Sequence, residues 1–217
     1  IFAAMIANPT VAAQTAEFLL QIKAIQLRPE NPFTWASGWK SPIYTDNRTA
    51  LSYPPVRNFL REQMVAAIST HYPSVEVIAG VATGAIALAA LVAQDLGLPM
   101  VYVRPTAKEH GRQNQVEGYL EGNRRVVVVE DLISTGKSSL AAVEALRQQY
   151  AQVLGMVGIF TYGFPQADEA FTAADCQLVT LSDYNALLAQ AQKSGTIRDS
   201  EVALLANWRT APDTWGQ

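Results

Sequence analysis

Short apolar runs alternate with longer segments of helical periodicity along most of this chain. The run of four valines at 126–129 is the strongest strand signal. Strands are predicted at 75–81, 100–104, 125–130, 153–161 and 177–181, and helices at about 9–25, 57–70, 84–96, 137–150, 183–193 and 199–208. Continuous apolar strands that alternate with helices are typical of a parallel sheet covered on both faces. The pattern therefore predicts an α/β fold whose central, mainly parallel five-stranded sheet is flanked by helices.

The first 60 residues do not follow this alternation. Asn8 and Pro9 predict a helix start, because an asparagine side chain caps the first turn and proline suits its first position. Residues 27–53 are then rich in Pro, Trp, Ser, Gly and Asn, which predicts short strands or irregular structure. We expect a single domain over 1–217. It divides into an N-terminal segment at about 1–60, an α/β core at about 61–182 and C-terminal helices at about 183–217.

Composition narrows the class of protein. The formal net charge of −3 lacks the basic surplus that is typical of nucleic-acid binders. The single cysteine, Cys176, excludes an internal disulfide and is expected to be a small buried side chain, which favours a reducing compartment. No apolar run reaches the roughly 18 residues that a membrane span needs. The N-terminus also lacks the basic region of a signal peptide. We therefore expect a cytoplasmic protein that binds neither nucleic acid nor membrane.

The most informative segment is 126–139, which lies at the end of a predicted strand, where parallel α/β sheets bind their ligands. Here the apolar strand runs into two acids, Glu130 and Asp131, followed by the small turn 134–136 and a helix. A helix N-terminus carries unpaired N–H groups and partial positive charge, and small residues let those groups converge on a phosphate. The segment therefore predicts a phosphate site. Lys137 either adds a charge to it or points to solvent.

Two ligand classes use such a loop. Residues 136–138, Gly-Lys-Ser, match the end of the P-loop of nucleotide-binding proteins. However, Asp131 stands where that motif has its first glycine, and a carboxylate there would repel the β-phosphate. Two adjacent acids before the loop fit a ribose 5-phosphate better, since carboxylates accept hydrogen bonds from a diol while amides donate to the phosphate.

The same segment resembles the signature with which type I phosphoribosyltransferases bind phosphoribosyl pyrophosphate (PRPP): an apolar strand, two acids and a Thr/Ser-rich loop. The resemblance implies the fold of that family, with a small hood from the N- and C-terminal segments over the base site. It also implies that Glu130 and Asp131 hold the ribose hydroxyls. The loop would hold the 5-phosphate through Leu132, Ile133, Ser134, Thr135, Gly136, Lys137 and Ser138.

Residues 103–118, VRPTAKEHGRQNQVEG, resemble the mobile catalytic loop of orotate phosphoribosyltransferases, which binds the pyrophosphate of PRPP. The matching positions are Arg104, Lys108, His110 and Gly111. Cations placed there stabilise the negative charge that develops on departing pyrophosphate, and closure of the loop excludes water. The resemblance implies that Lys108, His110 and Asp131 are catalytic. It further implies a homodimer in which this lid reaches the neighbouring subunit's site.

Residues 31–48, NPFTWASGWKSPIYTDNR, resemble the base-binding part of the same family. Lys40, Arg48 and Ser134 are the orotate contacts that we expect from the resemblance. Many members have an arginine after the fourth strand that pairs with the orotate carboxylate, whereas residues 161–163 here are Thr-Tyr-Gly. Arg48 is our candidate for that role, and backbone amides are the alternative.

Two further positions and one segment bear on the comparison with this family. Many members have a lysine where this chain has Ala36, and another where it has Pro105, so the cationic set around PRPP is smaller here. The small-residue segment 80–86 joins a strand to a helix at the ligand edge. In the family this segment contacts pyrophosphate, and the alternative is that it only allows tight packing.

The implied activity is transfer of the 5-phosphoribosyl group from PRPP to orotate in pyrimidine biosynthesis, which gives orotidine 5'-phosphate and pyrophosphate. The implied cofactor is Mg²⁺, held mainly by PRPP and not by protein ligands. Two alternatives stay open. One is a phosphoribosyltransferase for another base, against which residues 31–48 argue. The other is a PRPP-sensing regulator of the same fold that binds nucleic acid, against which the lid cations and the negative net charge argue.

Overall fold

The computed structural model describes residues 4–35, 38–105 and 115–215. Within these ranges the strands are β1 (Met5–Ile6), β2 (Ile25–Leu27), β3 (Phe33–Thr34), β4 (Lys40–Ser41), β5 (Ile43–Thr45), β6 (Val77–Val81), β7 (Met100–Val103), β8 (Val116–Glu117), β9 (Arg125–Ile133), β10 (Gln152–Thr161) and β11 (Leu178–Asp183). The helices are α1 (Pro9–Gln21), α2 (Pro54–His71), α3 (Ile86–Leu96), α4 (Lys137–Gln148), α5 (Pro165–Ala173), α6 (Tyr184–Lys193) and α7 (Asp199–Thr210), with a 3-10 helix at Asn47–Ser52.

The central sheet has the strand order β1-β11-β10-β9-β6-β7-β8. All neighbouring strands are parallel except β7 and β8, which are antiparallel. The five predicted strands are confirmed as β6, β7, β9, β10 and β11, and so is the α/β class. The predicted count of five was wrong, because β1 and β8 extend the two edges of the sheet. Each has only two residues, too few for a periodic signal, and each is defined by its pairing with a neighbour.

The central strand β9 places the predicted phosphate segment. Its valines 126–129 are fully removed from solvent. Val127 and Val129 belong to the core under α1, α2 and α3, and Val126 and Val128 to the core under α4 and α5. The strand continues to Ile133 instead of ending at Glu130, so both acids lie within its last residues at the carboxyl edge of the sheet.

The predicted start of α1 is confirmed. The Asn8 side chain accepts hydrogen bonds from the N–H groups of Thr10 (2.8 Å) and Val11 (3.3 Å), which caps the first turn. The helix ends at Gln21 and not near residue 25. The reason is that Ile25 already belongs to β2, which pairs with β5.

Two small antiparallel pairs, β2 with β5 and β3 with β4, form the segment that we call the hood, residues 25–45. Trp35 fixes the hood from inside, because its Nε1–H donates to the carbonyl of Ile43 at 3.0 Å. Its ring also meets Trp208 of α7 at a centroid distance of 5.7 Å. The N-terminal and C-terminal segments therefore meet, as the family resemblance implied.

The structure bears on two expectations from composition, one about the single cysteine and one about membrane-spanning helices. Cys176 is a buried thiol, and burial raises its pKa to about 11, so it is an unreactive core side chain. In the described ranges, every helix is either too short or too polar to cross a membrane.

Candidate active site

A cleft of about 750 Å³ lies at the carboxyl edge of the sheet. It opens above the ends of β6, β7 and β9, which is where a parallel sheet collects its ligands. Its walls come from four segments: Thr45–Arg48 of the hood and the 3-10 helix, Val81–Gly84, Val103–Pro105, and the run from Glu130 to Ala142 without Ile133, Ser139 and Leu140. From the sequence, each of these segments was a separate candidate, and their meeting in one cleft is a finding of the structure.

The phosphate loop has the geometry that the sequence predicted. Gly136 is the N-cap of α4 in the left-handed conformation (φ +81°), which favours glycine. A Cβ at this position would also lie 3.0 Å from the ring of Phe171. Glycine has no side chain that could cap the first turn of α4. The first N–H groups of this helix, which borders the cleft, therefore receive no hydrogen bond from the N-cap side chain. This arrangement suits an anion.

The two acids differ in their surroundings. Glu130 is only 4% exposed, and both of its carboxylate oxygens accept hydrogen bonds. One bond comes from the hydroxyl of Ser139 at 2.9 Å, the other from the N–H of Asp131 at 3.0 Å. Burial, reinforced by the negative charge of Asp131, raises the pKa of Glu130 well above its usual range. Burial also raises the pKa of Asp131, although hydrogen bonding to Glu130 and the charge of Arg48 oppose that shift.

Two residues, Asn47 and Gly84, fix the position of Asp131. Neither of these roles was predicted from the sequence. Asn47 is buried, and its Nδ2–H donates to the carbonyl of Asp131 at 2.6 Å, across 84 residues of chain. Gly84 faces the carboxylate of Asp131 so closely that a methyl group there would overlap it. Within the segment 80–86, Gly84 is therefore small because it must admit this acid, whereas a side chain at Gly80 would meet Ala89 of α3. The small residues of this segment were visible in the sequence, but the contact of Gly84 with Asp131 could not be deduced from it.

Two of the predicted cations, Arg104 and Lys137, line the cleft. Arg104 also forms an ion pair with Glu117 of β8, at 3.6 Å. Lys108, His110 and Gly111 lie outside the described residues, as do Ala36 and Ser37 of the hood.

Arg48, the candidate for the orotate carboxylate, and Lys40, another predicted orotate contact, occupy separate places. Arg48 lines the cleft and is paired with Asp46 through two contacts, Nε to Oδ1 at 2.7 Å and Nη2 to Oδ2 at 3.0 Å. This hydrogen-bonded pair lowers the pKa of Asp46. Lys40 is exposed, and its Nζ donates to the hydroxyl of Thr34 at 2.9 Å.

A second cavity, of about 310 Å³, adjoins the cleft beneath the hood, and we call it the aromatic pocket. It is lined by Thr34, Trp35, Tyr44, Thr45, Leu132, Ser134 and Tyr162. All of these side chains are uncharged at neutral pH, and three are aromatic, which suits a flat ring. Thr45, Leu132 and Ser134 line both cavities. The sequence predicted Ser134 at the base but gave no role to Tyr44 or Tyr162, since their convergence depends on the fold.

The acid pair predicts an unusual dependence of stability on pH. Because the folded-state pKa of Glu130 is raised, its contribution to stability is present below its unfolded pKa, near 4.3, and is lost as pH rises through the folded value. The variant Glu130→Gln keeps the shape without the titrating group. Urea unfolding from pH 5 to 8 should show the variant gaining stability relative to the wild-type protein as pH rises. Parallel profiles would mean that the carboxyl is not perturbed.

Comparison with known proteins agrees with this geometry. The family described as phosphoribosyl transferase domain matches residues 61–186. The orotate phosphoribosyltransferase of Porphyromonas gingivalis is 54% identical over 207 residues, which covers 95% of this chain and 99% of that protein. That of Phocaeicola vulgatus is 56% identical over 200 residues, covering 92% and 94%. The structure of the orotate phosphoribosyltransferase from Aeropyrum pernix superposes with a TM-score of 0.73 at 28% identity, covering 84% and 99%.

These matches extend over the cleft, the hood and the C-terminal helices at an identity well above what fold similarity alone produces. The chain belongs to the orotate phosphoribosyltransferases, which are pentosyltransferases of the phosphoribosyl transferase domain family.

Proposed function

We propose that the cleft binds PRPP and that the aromatic pocket binds the ring of orotate. The observation that carries this proposal is the junction of the two cavities, which share Thr45, Leu132 and Ser134. The polar cleft offers helix amides and carboxylates, whereas the pocket offers aromatic faces. A nucleotide product has the same two-part chemistry, with its sugar phosphate on one side of the glycosidic bond and its base on the other. Ser134 then lies beside the bond that forms.

Within the cleft, the amides of 134–138 are proposed to hold the 5-phosphate, with a contact from Leu132 of the strand end. Ile133 was also predicted to bind PRPP, but its side chain is fully buried and does not line the cleft. Asp131 is proposed to accept hydrogen bonds from the ribose hydroxyls, because Asn47 and Gly84 hold it against the floor of the cleft. Glu130 shares this role, although its two oxygens already have partners. Its buried, hydrogen-bonded carboxyl also fixes the backbone from which Asp131 projects.

The reaction needs positioning and charge more than a protein nucleophile. The deprotonated ring nitrogen of orotate attacks the anomeric carbon, while the C–O bond to pyrophosphate breaks and its electron pair leaves with pyrophosphate. The carbon is electron-poor at that moment and the leaving group gains negative charge. Arg104, Lys108 and His110 are proposed to stabilise that charge, and Asp131 to orient the ribose.

Magnesium is the proposed cofactor, carried by PRPP. The described residues contain no cluster of three or more His, Cys, Asp or Glu side chains that would hold a metal. The carboxylates of Glu130 and Asp131 line the cleft, and Mg²⁺ in proteins is commonly bound by one or two carboxylates together with substrate phosphates. When bound, the ion neutralises phosphate charge.

We also propose a homodimer in which the lid acts on the neighbouring subunit's site. The described residues on either side of the lid, Tyr102–Val103 and Val116–Glu117, pair with each other as β7 and β8. Because β8 is the terminal strand of the sheet, the described residues that flank the lid lie at a sheet edge, which supports this proposal. We also propose a cytoplasmic location, because thiols such as the free, buried Cys176 stay reduced in that compartment.

The activity is tested by absorbance-monitored loss of orotate with PRPP and Mg²⁺. Lys108→Ala should reduce turnover by roughly 10²-fold, the size usual for one electrostatic contact to a developing charge. Lys193→Ala, an exposed lysine at the end of α6, is the matched control and should behave as the wild-type enzyme. Equal rates for all three proteins would remove Lys108 from the site.

A second test concerns the orotate carboxylate. The aromatic pocket itself is lined by neutral side chains, so the cation must come from a neighbour, and Lys40 and Arg48 are proposed. Replacing the true partner with alanine should raise the KM for orotate about tenfold or more, since a hydrogen bond to a charged group is lost. Arg28→Ala is the control, because Arg28 lies over the ring of Phe33 and not in the pocket. If neither Lys40→Ala nor Arg48→Ala changes this KM, backbone amides are the better explanation.

A further inference from the structure

Helix α7, Asp199–Thr210, lies outside the residues that the phosphoribosyl transferase domain matches, yet it packs behind the aromatic pocket. Trp208 of this helix is fully buried. Its ring meets Trp35 at 5.7 Å and Tyr162 at 5.8 Å between centroids, edge to face in both cases. These two rings line the pocket, and they are 5.4 Å from each other. Trp208 does not line the pocket itself.

Trp208 therefore holds two walls that come from distant parts of the chain. Trp35 belongs to the hood, and Tyr162 follows β10 of the core. The same indole also meets Phe164 at 5.5 Å and Tyr184 at 5.6 Å. Edge-to-face contacts are directional, so they fix the angle of each ring as well as its distance.

Hydrogen bonds and ion pairs anchor α7 in addition to these ring contacts. The hydroxyl of Tyr184 donates to the carbonyl of Leu205 at 3.0 Å. At the start of the helix, Arg198 pairs with Glu201 at 2.9 Å and also with Glu30 of the hood. The helix is thus attached to both the core and the hood, so the position of Trp208 is defined by more than its own packing.

The indole N–H of Trp208 is buried without a hydrogen-bond partner in the described part of the structure. An unpaired buried donor costs stability, and a buried donor that remains unpaired calls for an explanation. A phenylalanine or leucine would fill much of the same space without that cost. The shape of the indole, which reaches Trp35 and Tyr162 at once, offers such an explanation.

We propose that Trp208 is a positioning residue for the base site: it sets the spacing and angle of Trp35 and Tyr162 and so makes the pocket selective for a flat six-membered ring. This inference rests on the proposed placement of orotate in the aromatic pocket. It assigns a role in base selection to the C-terminal helix, whereas PRPP binding depends on the cleft.

The test compares the KM for orotate with the KM for PRPP in Trp208→Leu. Loss of the two ring contacts should raise the KM for orotate about threefold to tenfold or more, while the KM for PRPP stays within about twofold. Trp208→Phe retains an aromatic edge and should recover part of the difference. Leu205→Ala is the matched control, because Leu205 is equally buried in the same helix but has no aromatic ring to contact Trp35 or Tyr162.

Three results would overturn the proposal. One is an equal rise of both KM values in Trp208→Leu, and another is a rise of the orotate KM in Leu205→Ala as large as in Trp208→Leu. Either would mean that α7 only stabilises the fold. The third is an unchanged orotate KM in Trp208→Leu. If Trp208→Leu does not fold at the assay temperature, Trp208→Phe is compared with Leu205→Ala instead. The proposal then requires a higher KM for orotate in Trp208→Phe than in Leu205→Ala.

A further variant separates this inference from the proposed function. Tyr44 lines the pocket from the hood, is 42% exposed, and has its ring contact with Phe33 and not with Trp208. Tyr44→Ala should raise the KM for orotate if the base binds there. An unchanged KM in Tyr44→Ala would refute the pocket assignment itself. A raised KM in Tyr44→Ala together with an unchanged KM in Trp208→Leu would refute only the role of Trp208.

Discussion

Burial of the central strand on both faces of the sheet is the constraint on which the site depends. Because Val126–Val129 are fully removed from solvent, β9 has one register relative to β6 and β10. Glu130 and Asp131 therefore lie together at the carboxyl edge, separated from the first turn of α4 by the end of the strand and the loop 134–136. The same burial reaches Glu130 and raises the pKa of its carboxyl. Its hydrogen bonds to Ser139 and to the Asp131 amide satisfy the group at this depth.

The two cavities differ in the chemical groups that they offer to a ligand. The cleft combines helix amides, carboxylates and cations, which suit phosphate and sugar hydroxyls. The aromatic pocket excludes charge from its walls and offers ring faces. Thr45, Leu132 and Ser134 stand at the boundary, so a bond formed there joins a group held by one cavity to a group held by the other. The N-terminal segment contributes to both cavities, since Thr45 lines each of them and Asn47 contacts Asp131 in the cleft, whereas the ring contacts of α7 lie behind the aromatic pocket.

The sequence predicted the parts of this enzyme whose signals are local. The valine run, the Asn8 cap and the acid pair with its small-residue loop each have a short-range physical cause, and each has the predicted form. Long-range partners were out of reach. The hydrogen bond from Asn47 to Asp131 spans 84 residues, and Gly84 is small because of an acid 47 positions later. The strands β1 and β8 exist only through their neighbours. Lys108 and His110 lie outside the described residues, so their roles stay predictions.

A crystal structure of the enzyme with orotidine 5'-phosphate tests the two-cavity account most directly. We expect the phosphate at the amides of residues 134–138 and the ribose hydroxyls at Asp131. We expect the pyrimidine ring beyond Ser134, in the aromatic pocket beside Tyr44 and Tyr162. A ring bound instead between Val81–Gly84 and Val103–Pro105, or a phosphate away from the start of α4, would contradict it.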